Sequence, residues 1–108
     1  MQQYSTVKLP FSELDPGTEA AYHIYPIVVN DRDQVVQQLK GFNIGTSIHY
    51  TPVHLFSYFK DKFNWNIGDF PVAEHFGKST LSLPLFTQLT DKQAASIISC
   101  LTYILDQG

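Results

Sequence analysis

Residues 21–29 read Ala21-Tyr22-His23-Ile24-Tyr25-Pro26-Ile27-Val28-Val29. Aromatic and β-branched side chains dominate this run and pack well on a pleated surface, so it predicts a strand. Pro26 has no N–H to give a sheet ladder and therefore marks an edge position or a bulge. Asn30-Asp31-Arg32-Asp33 follows with cap-type side chains, and Val35, Val36 and Leu39 recur at helical spacing. Gly41 or Asn43 can end that helix, because both residue types tolerate the left-handed conformation of a helix terminus. Residues 44–50, Ile44-Gly45-Thr46-Ser47-Ile48-His49-Tyr50, read as a second strand. Strand, helix and strand make a crossover unit, right-handed if the strands are parallel.

Outward from this unit the pattern is mixed. Residues 1–20 contain the turn signal Asp15-Pro16-Gly17 and read as a linker or edge segment. Beyond Pro52, residues 54–63 carry Leu55, Tyr58, Phe59 and Phe63 at helical spacing, and residues 64–70 form a loop around Gly68. Pro71 suits a first helical turn and leads a short helix through Val72, Ala73 and Phe76. Residues 81–86 are a short extended segment containing Pro84. Thr90 and Gln93 form a capping box, in which each side chain satisfies the other residue's free amide. Ala94, Ile97, Ile98, Leu101, Ile104 and Leu105 then form one apolar stripe of a final helix. The expected class is α+β: a small mixed sheet over residues 21–108, covered by helices, with the last helix packed on it.

The 108 residues suffice for one domain and not two. The net charge of −3 and the scattered basic residues argue against a domain that grips a nucleic-acid backbone, which needs a basic patch. Lys60 and Lys62 near the aromatic run are offset by Asp61 and do not make a base-stacking platform. One cysteine, Cys100, excludes an internal disulfide and a four-cysteine zinc site, and suggests a reducing, cytoplasmic setting. The first twenty residues do not read as a signal peptide, and no run approaches the roughly eighteen apolar residues of a membrane span.

Residues 44–54 continue through Thr51-Pro52-Val53-His54. The whole stretch resembles the GIGT-x-x-HY-x-P-x-H signature of the DegT/DnrJ/EryC1/StrS aminotransferases. Ala21-Tyr22-His23-Ile24-Tyr25 is similar to that family's A-[WY]-H-L-[FY] strand, and Arg32-Asp33 opens the next helix as in the family. Asp69-Phe70-Pro71-Val72-Ala73-Glu74 looks like its FP-x-A-E helix start. Leu81-Ser82-Leu83-Pro84-Leu85-Phe86 with Leu89-Thr90-Asp91 looks like SLP-x-[YF]-x-x-LT. Each motif is weak to moderate alone, but the ordered set covers residues 21–105. Asn43 departs from the family's usual glycine, a change that positive φ tolerates.

The resemblance implies the C-terminal small domain of a sugar-nucleotide aminotransferase that uses pyridoxal phosphate. Such an enzyme moves an amino group from glutamate to the keto carbon of a nucleotide-linked deoxysugar, for cell-surface polysaccharide or lipopolysaccharide biosynthesis. The cofactor supplies the electron sink and a lysine holds it as a Schiff base. In the family that lysine, the acidic partner of the pyridine nitrogen and the phosphate-binding residues lie in a large N-terminal domain. No lysine here sits in that context, so this chain is expected to bind no cofactor and to be inactive alone. Its implied partners are that large domain, the nucleotide sugar and, in the parent enzyme, a second subunit of a homodimer. His54 matches a histidine near the substrate, and His49 and Tyr50 match the pair placed beside the cleft. A free-standing module that binds a nucleotide sugar, or pairs with a separate large domain, is the alternative.

Plainer roles stand beside these. His23 is expected to be structural, with its ring nitrogens satisfied by backbone groups. His49 can equally be a core residue, His54 can serve as a structural cap, and His75 reads as an exposed helix residue. The five-residue spacing of His49 and His54 matches no common helical zinc pair. Cys100 reads as a buried, inert thiol. The sequence offers no nucleophile–base pair and no glycine-rich phosphate loop.

Overall fold

A computed structural model of the chain describes residues 7–107. Its elements are β1 (Tyr25–Val28), α1 (Arg32–Gly41), a 3₁₀ turn (Val53–Leu55), α2 (Ser57–Phe63), α3 (Pro71–Ser79), β2 (Thr80–Leu83) and α4 (Asp91–Gln107). The α+β class stands. The sheet is a two-stranded antiparallel ladder in which Ile27 opposes Leu81 and Pro26 opposes Ser82. Single antiparallel bridges, Lys8 with Val28 and Ser47 with Ser82, extend it on either side. Every pairing among the described residues is thus antiparallel, and the expected mixed pairing does not occur.

Pro26 fits this ladder because N–H groups alternate in direction along a strand. Val28 N–H bonds to the Lys8 carbonyl, so the Pro26 nitrogen two residues earlier faces that outer side too. No β2 bond is lost. The strand begins four residues later than expected; Tyr22 sits at φ 52°, and His23 is exposed ahead of β1 instead of being tied into the sheet.

The second strand expected over residues 44–50 does not form. Only Ser47 pairs, giving its N–H to the Ser82 carbonyl at 3.2 Å and accepting the Ser82 N–H at 2.7 Å. Beyond it the chain leaves the sheet edge and lays Pro52, which has no N–H to offer, against α3. Since β1 and the Ser47 segment both run antiparallel to β2, they are parallel to each other with β2 between them. The crossover through α1 spans a strand instead of joining neighbours.

Helix ends follow local chemistry in most places. Asn43 takes the left-handed conformation at φ 63°, Ile44 N–H bonds to the Leu39 carbonyl and Asn43 N–H to that of Lys40. This is a Schellman closure, with Ile44 packed against the core beside Leu39. Thr90 and Gln93 form the expected capping box, with reciprocal bonds of 3.0 and 3.1 Å. Pro71 opens α3 as expected. The start of α1 differs: Asp31 is left-handed and makes no side-chain cap.

The core is one cluster drawn from both strands, α1, α4 and the segment before β1: Val7, Ile27, Val29, Val35, Leu39, Leu81, Leu101 and Ile104. Helix α1 packs on α4 and touches β2. The stripe of α4 is graded, with Leu101 and Ile104 buried, Ala94, Ile97 and Leu105 half-buried, and Ile98 exposed. Cys100 is half-buried. Strand β2 is covered on both faces, since Thr80, Leu81 and Ser82 are all buried.

Thr80 is fully buried and its hydroxyl has no hydrogen-bond partner. An unpaired buried hydroxyl carries its desolvation cost without return. Thr80→Val should therefore leave stability unchanged or raise it by about 1 kcal/mol, read from urea midpoints. A clear loss would show that the hydroxyl has a partner.

Candidate functional site

The signature segment is laid along β2 and α3 by contacts at three depths. Ser47 makes its bridge to Ser82. Two residues on, His49 Nδ1 lies 2.8 Å from Ser82 Oγ, half-buried. Tyr50 stands edge-on to the His49 ring at 4.7 Å and is 69% exposed. The peptide between them is cis. His49 is thus tied to the sheet and Tyr50 is presented to solvent beside it.

Pro52 is received by Gly77. A Cβ on Gly77 would lie 2.6 Å from Pro52 Cδ and 2.9 Å from Cγ, so only glycine lets α3 and the proline ring approach this closely. Arg32 holds the same end of α3. Its Nη1 donates to the carbonyls of Gly77 at 3.0 Å and Thr80 at 2.7 Å, and its Nε meets Asp33 Oδ1 at 2.6 Å. A guanidinium there suits the negative end of the helix dipole. The first residue of α1 therefore fixes the junction of α3 and β2.

His54 goes inward, away from His49 and Tyr50. It is 4% exposed, stands edge-on to Phe70 at 4.9 Å, and its Nε2 lies 3.2 Å from Glu74 Oε2. The ring N–H is not aligned for a hydrogen bond, so this contact is an electrostatic approach. The Glu74 carboxylate accepts the Gly68 N–H on both oxygens, at 3.1 and 2.9 Å. Burial pushes the Glu74 carboxyl up, but the Gly68 N–H, His54 and the Phe70 backbone together hold it below the usual glutamate range. Apart from Glu74 closing a motif, no local pattern signals this pairing, because twenty positions separate it from His54.

From His54 a series of rings runs outward. Phe70 meets Trp65 at 5.4 Å, Trp65 stacks on Phe63 at 4.6 Å, Phe63 on Phe59 at 6.2 Å, and Phe59 meets Tyr58 at 5.1 Å. Lys62 Nζ lies 5.5 Å from the centroids of both Tyr58 and Phe63. These aromatics contribute nothing to the buried core, and Tyr58, Phe63 and Phe70 are exposed. Tyr50, Val53, Phe56 and Val72 are exposed as well, so the segments around the ring series leave many large apolar side chains open to solvent. Among the described residues no three His, Cys, Asp or Glu side chains converge as a metal set, and no helix is long and apolar enough to cross a membrane. His75 is exposed on α3.

Gly77→Ala should destabilise the domain by about 1–3 kcal/mol, because the overpacking against a rigid proline ring outweighs the helix propensity gained; an unchanged urea midpoint would contradict the contact. Glu74, with its folded-state pKa lowered, contributes stability that is present above the ordinary glutamate range and lost as pH falls through its lowered value. The stability gap between the native chain and Glu74→Gln should therefore be widest near neutrality and close in acid, as read from urea midpoints across pH.

Known proteins share both this sequence pattern and this fold. The sequence profile of the DegT/DnrJ/EryC1/StrS aminotransferase family matches residues 2–102. The spore coat polysaccharide biosynthesis protein SpsC of Bacillus subtilis is 34% identical over 111 residues, an alignment taking in 96% of this chain and 28% of SpsC. The UDP-N-acetyl-3-dehydro-α-D-glucosamine 3-aminotransferase of Acidithiobacillus ferrooxidans is 33% identical over 90 residues, covering 82% of this chain and 24% of that enzyme. Among solved structures, DesV of S. venezuelae, in complex with a ketimine intermediate, superposes with a TM-score of 0.82 at 29% identity, covering 91% of this chain and 26% of DesV. The chain spans about a quarter of the length of these relatives. The match over nearly all of its residues shows that this chain belongs to the DegT/DnrJ/EryC1/StrS aminotransferase family.

Proposed function

We propose that residues 21–108 are the C-terminal small domain of a sugar-nucleotide aminotransferase, with residues 1–20 leading into it, and that the chain is not catalytic alone. The observation that carries this reading is the family match over residues 2–102 in a chain only a quarter as long as its relatives. The exposed aromatic side supports it, as a surface left by a missing large domain. The whole enzyme would take an amino group from glutamate and place it on the keto carbon of a nucleotide-linked deoxysugar, in the cytoplasm and as a homodimer, for cell-surface polysaccharide. The nucleotide-linked substrate of the A. ferrooxidans relative and the polysaccharide role of SpsC support that choice.

Pyridoxal phosphate belongs to the proposed enzyme, but the residues present here do not fit it. A Schiff-base lysine must be enclosed to react as a free amine, whereas Lys60 is half-buried and the other described lysines are exposed. The cofactor's lysine is assigned to the large domain, and this chain's part is to furnish one wall of the cleft. In that wall Tyr50 is the group free to meet the sugar nucleotide. His49 orients it from the sheet. His54, buried against Glu74, supports the wall from beneath.

The test compares two proteins. Given pyridoxal phosphate, glutamate and a nucleotide-linked keto-deoxysugar, the 108-residue chain should show neither turnover nor cofactor absorbance. An antibody against it should detect a native polypeptide several-fold larger, and that polypeptide should be active. Tyr50→Ala and His54→Ala in the larger protein should lower kcat/KM for the sugar nucleotide while leaving cofactor absorbance intact. A native polypeptide of this chain's own size would overturn the fragment reading, and unchanged kinetics in both variants would remove these residues from the site.

A further inference from the structure

The Glu74 carboxylate joins stretches of chain that otherwise meet, among the described residues, through the edge-on contact of His54 with Phe70. It belongs to α3, accepts the Gly68 N–H from the turn before that helix, and faces His54 at the end of the signature segment. Its side chain is only 10% exposed. A buried carboxylate is tolerated only where such partners compensate its lost hydration. Beyond the ring contacts of Trp65 and Phe70, the turn over residues 64–70 has few other ties among the described residues to place it. Asn64 and Gly68 are left-handed at φ 57° and 98°, Trp65 alone is half-buried, and the bonds between Asn66 and Asp69 close the turn on itself. The turn nevertheless carries Trp65 and Phe70, the middle of the ring series.

We infer that Glu74 is a positioning residue, whose carboxylate fastens the 64–70 turn to His54 and so holds the Phe63, Trp65 and Phe70 rings in fixed relation to the signature segment. The use of that ring shelf as part of a sugar-nucleotide cleft rests on the function proposed above; the fastening itself is a property of this chain alone. A purely local role is the competing account. Glu74 stands in the first turn of α3, where the helix dipole favours a carboxylate. That role would stabilise α3 and leave the turn where it is.

Trp65 is the single tryptophan, so its emission reports on the turn directly. The experiment measures acrylamide quenching and emission wavelength of the folded 108-residue chain, with far-UV circular dichroism, for the native sequence, E74A, E74Q, H54A and E74A/H54A. E74A should raise the quenching constant severalfold and shift emission to the red while helix content is retained. E74Q keeps an amide oxygen for the Gly68 N–H and should restore most of the protection. H54A should expose Trp65 in part, and the double variant should add less than the sum, since both changes cut one tie. Should E74A fail to fold, H54A carries the comparison with E74Q as the conservative control: H54A must expose Trp65 more than the native chain does, and E74Q less than H54A. A fall in urea midpoint with Trp65 quenching unchanged overturns the inference in favour of the local role. Strict additivity in the double variant overturns the link through His54. A negative sugar-nucleotide assay leaves these readouts untouched, so failure of the proposed function and failure of the fastening are told apart.

Discussion

The contact between Pro52 and Gly77 governs how the signature segment lies against α3 and β2. A ring without an N–H meets a helical residue without a side chain, and the two backbones approach more closely than a residue with a Cβ at position 77 would permit. Residues on either side of Pro52 inherit their positions from that contact. Upstream, Ser47 and His49 reach Ser82 on β2; downstream, His54 is delivered to Glu74 on α3. Arg32 secures the receiving surface, since it binds the carbonyls of Gly77 itself and of Thr80 at the start of β2. The signature thus works as a strap drawn across one helix–strand junction.

The two sides of the domain are held together by different physics. On the side of α1 and α4, a cluster of aliphatic residues is removed from water, and hydrophobic burial supplies most of the stabilisation. On the side of α2 and α3, aromatic rings contact one another edge-on or stacked while remaining open to solvent. Such ring pairs contribute only about 0.5–1.5 kcal/mol each beyond their buried area. Polar ties therefore matter more there, and the buried Glu74 with its Gly68 and His54 partners is the principal one.

Family membership and fold do not by themselves locate the chemistry. Related enzymes are about four times as long, and nothing among the residues described here would enclose a Schiff-base lysine. What the chain does carry is an exposed Tyr50 set edge-on against a sheet-anchored His49, together with a series of rings running from His54. Such an arrangement suits the wall of a cleft, the role proposed for it above.

Much of the local structure was legible in the residues themselves. The capping box of Thr90 and Gln93, Pro71 at a helix start, Asn43 at a left-handed helix end and the apolar stripe of α4 all act within a few positions, so sequence alone determined them. The ordered motifs also carried the family. What sequence could not determine is which segments become neighbours. Residues 44–50 have the composition of a strand, yet only Ser47 pairs, because Pro52 draws the chain away to α3. Residues 30–33 offered cap-type side chains, but Asp31 caps nothing and Arg32 reaches across to Gly77 and Thr80 instead. His54 reads from the sequence as a substrate-side histidine with a structural cap as the alternative, and nothing local announces that it lies beside Glu74. Each of these outcomes depends on pairing between residues twenty to fifty positions apart, and only the tertiary structure decides it, because the energy that selects one partner exists only once the chain has closed around it.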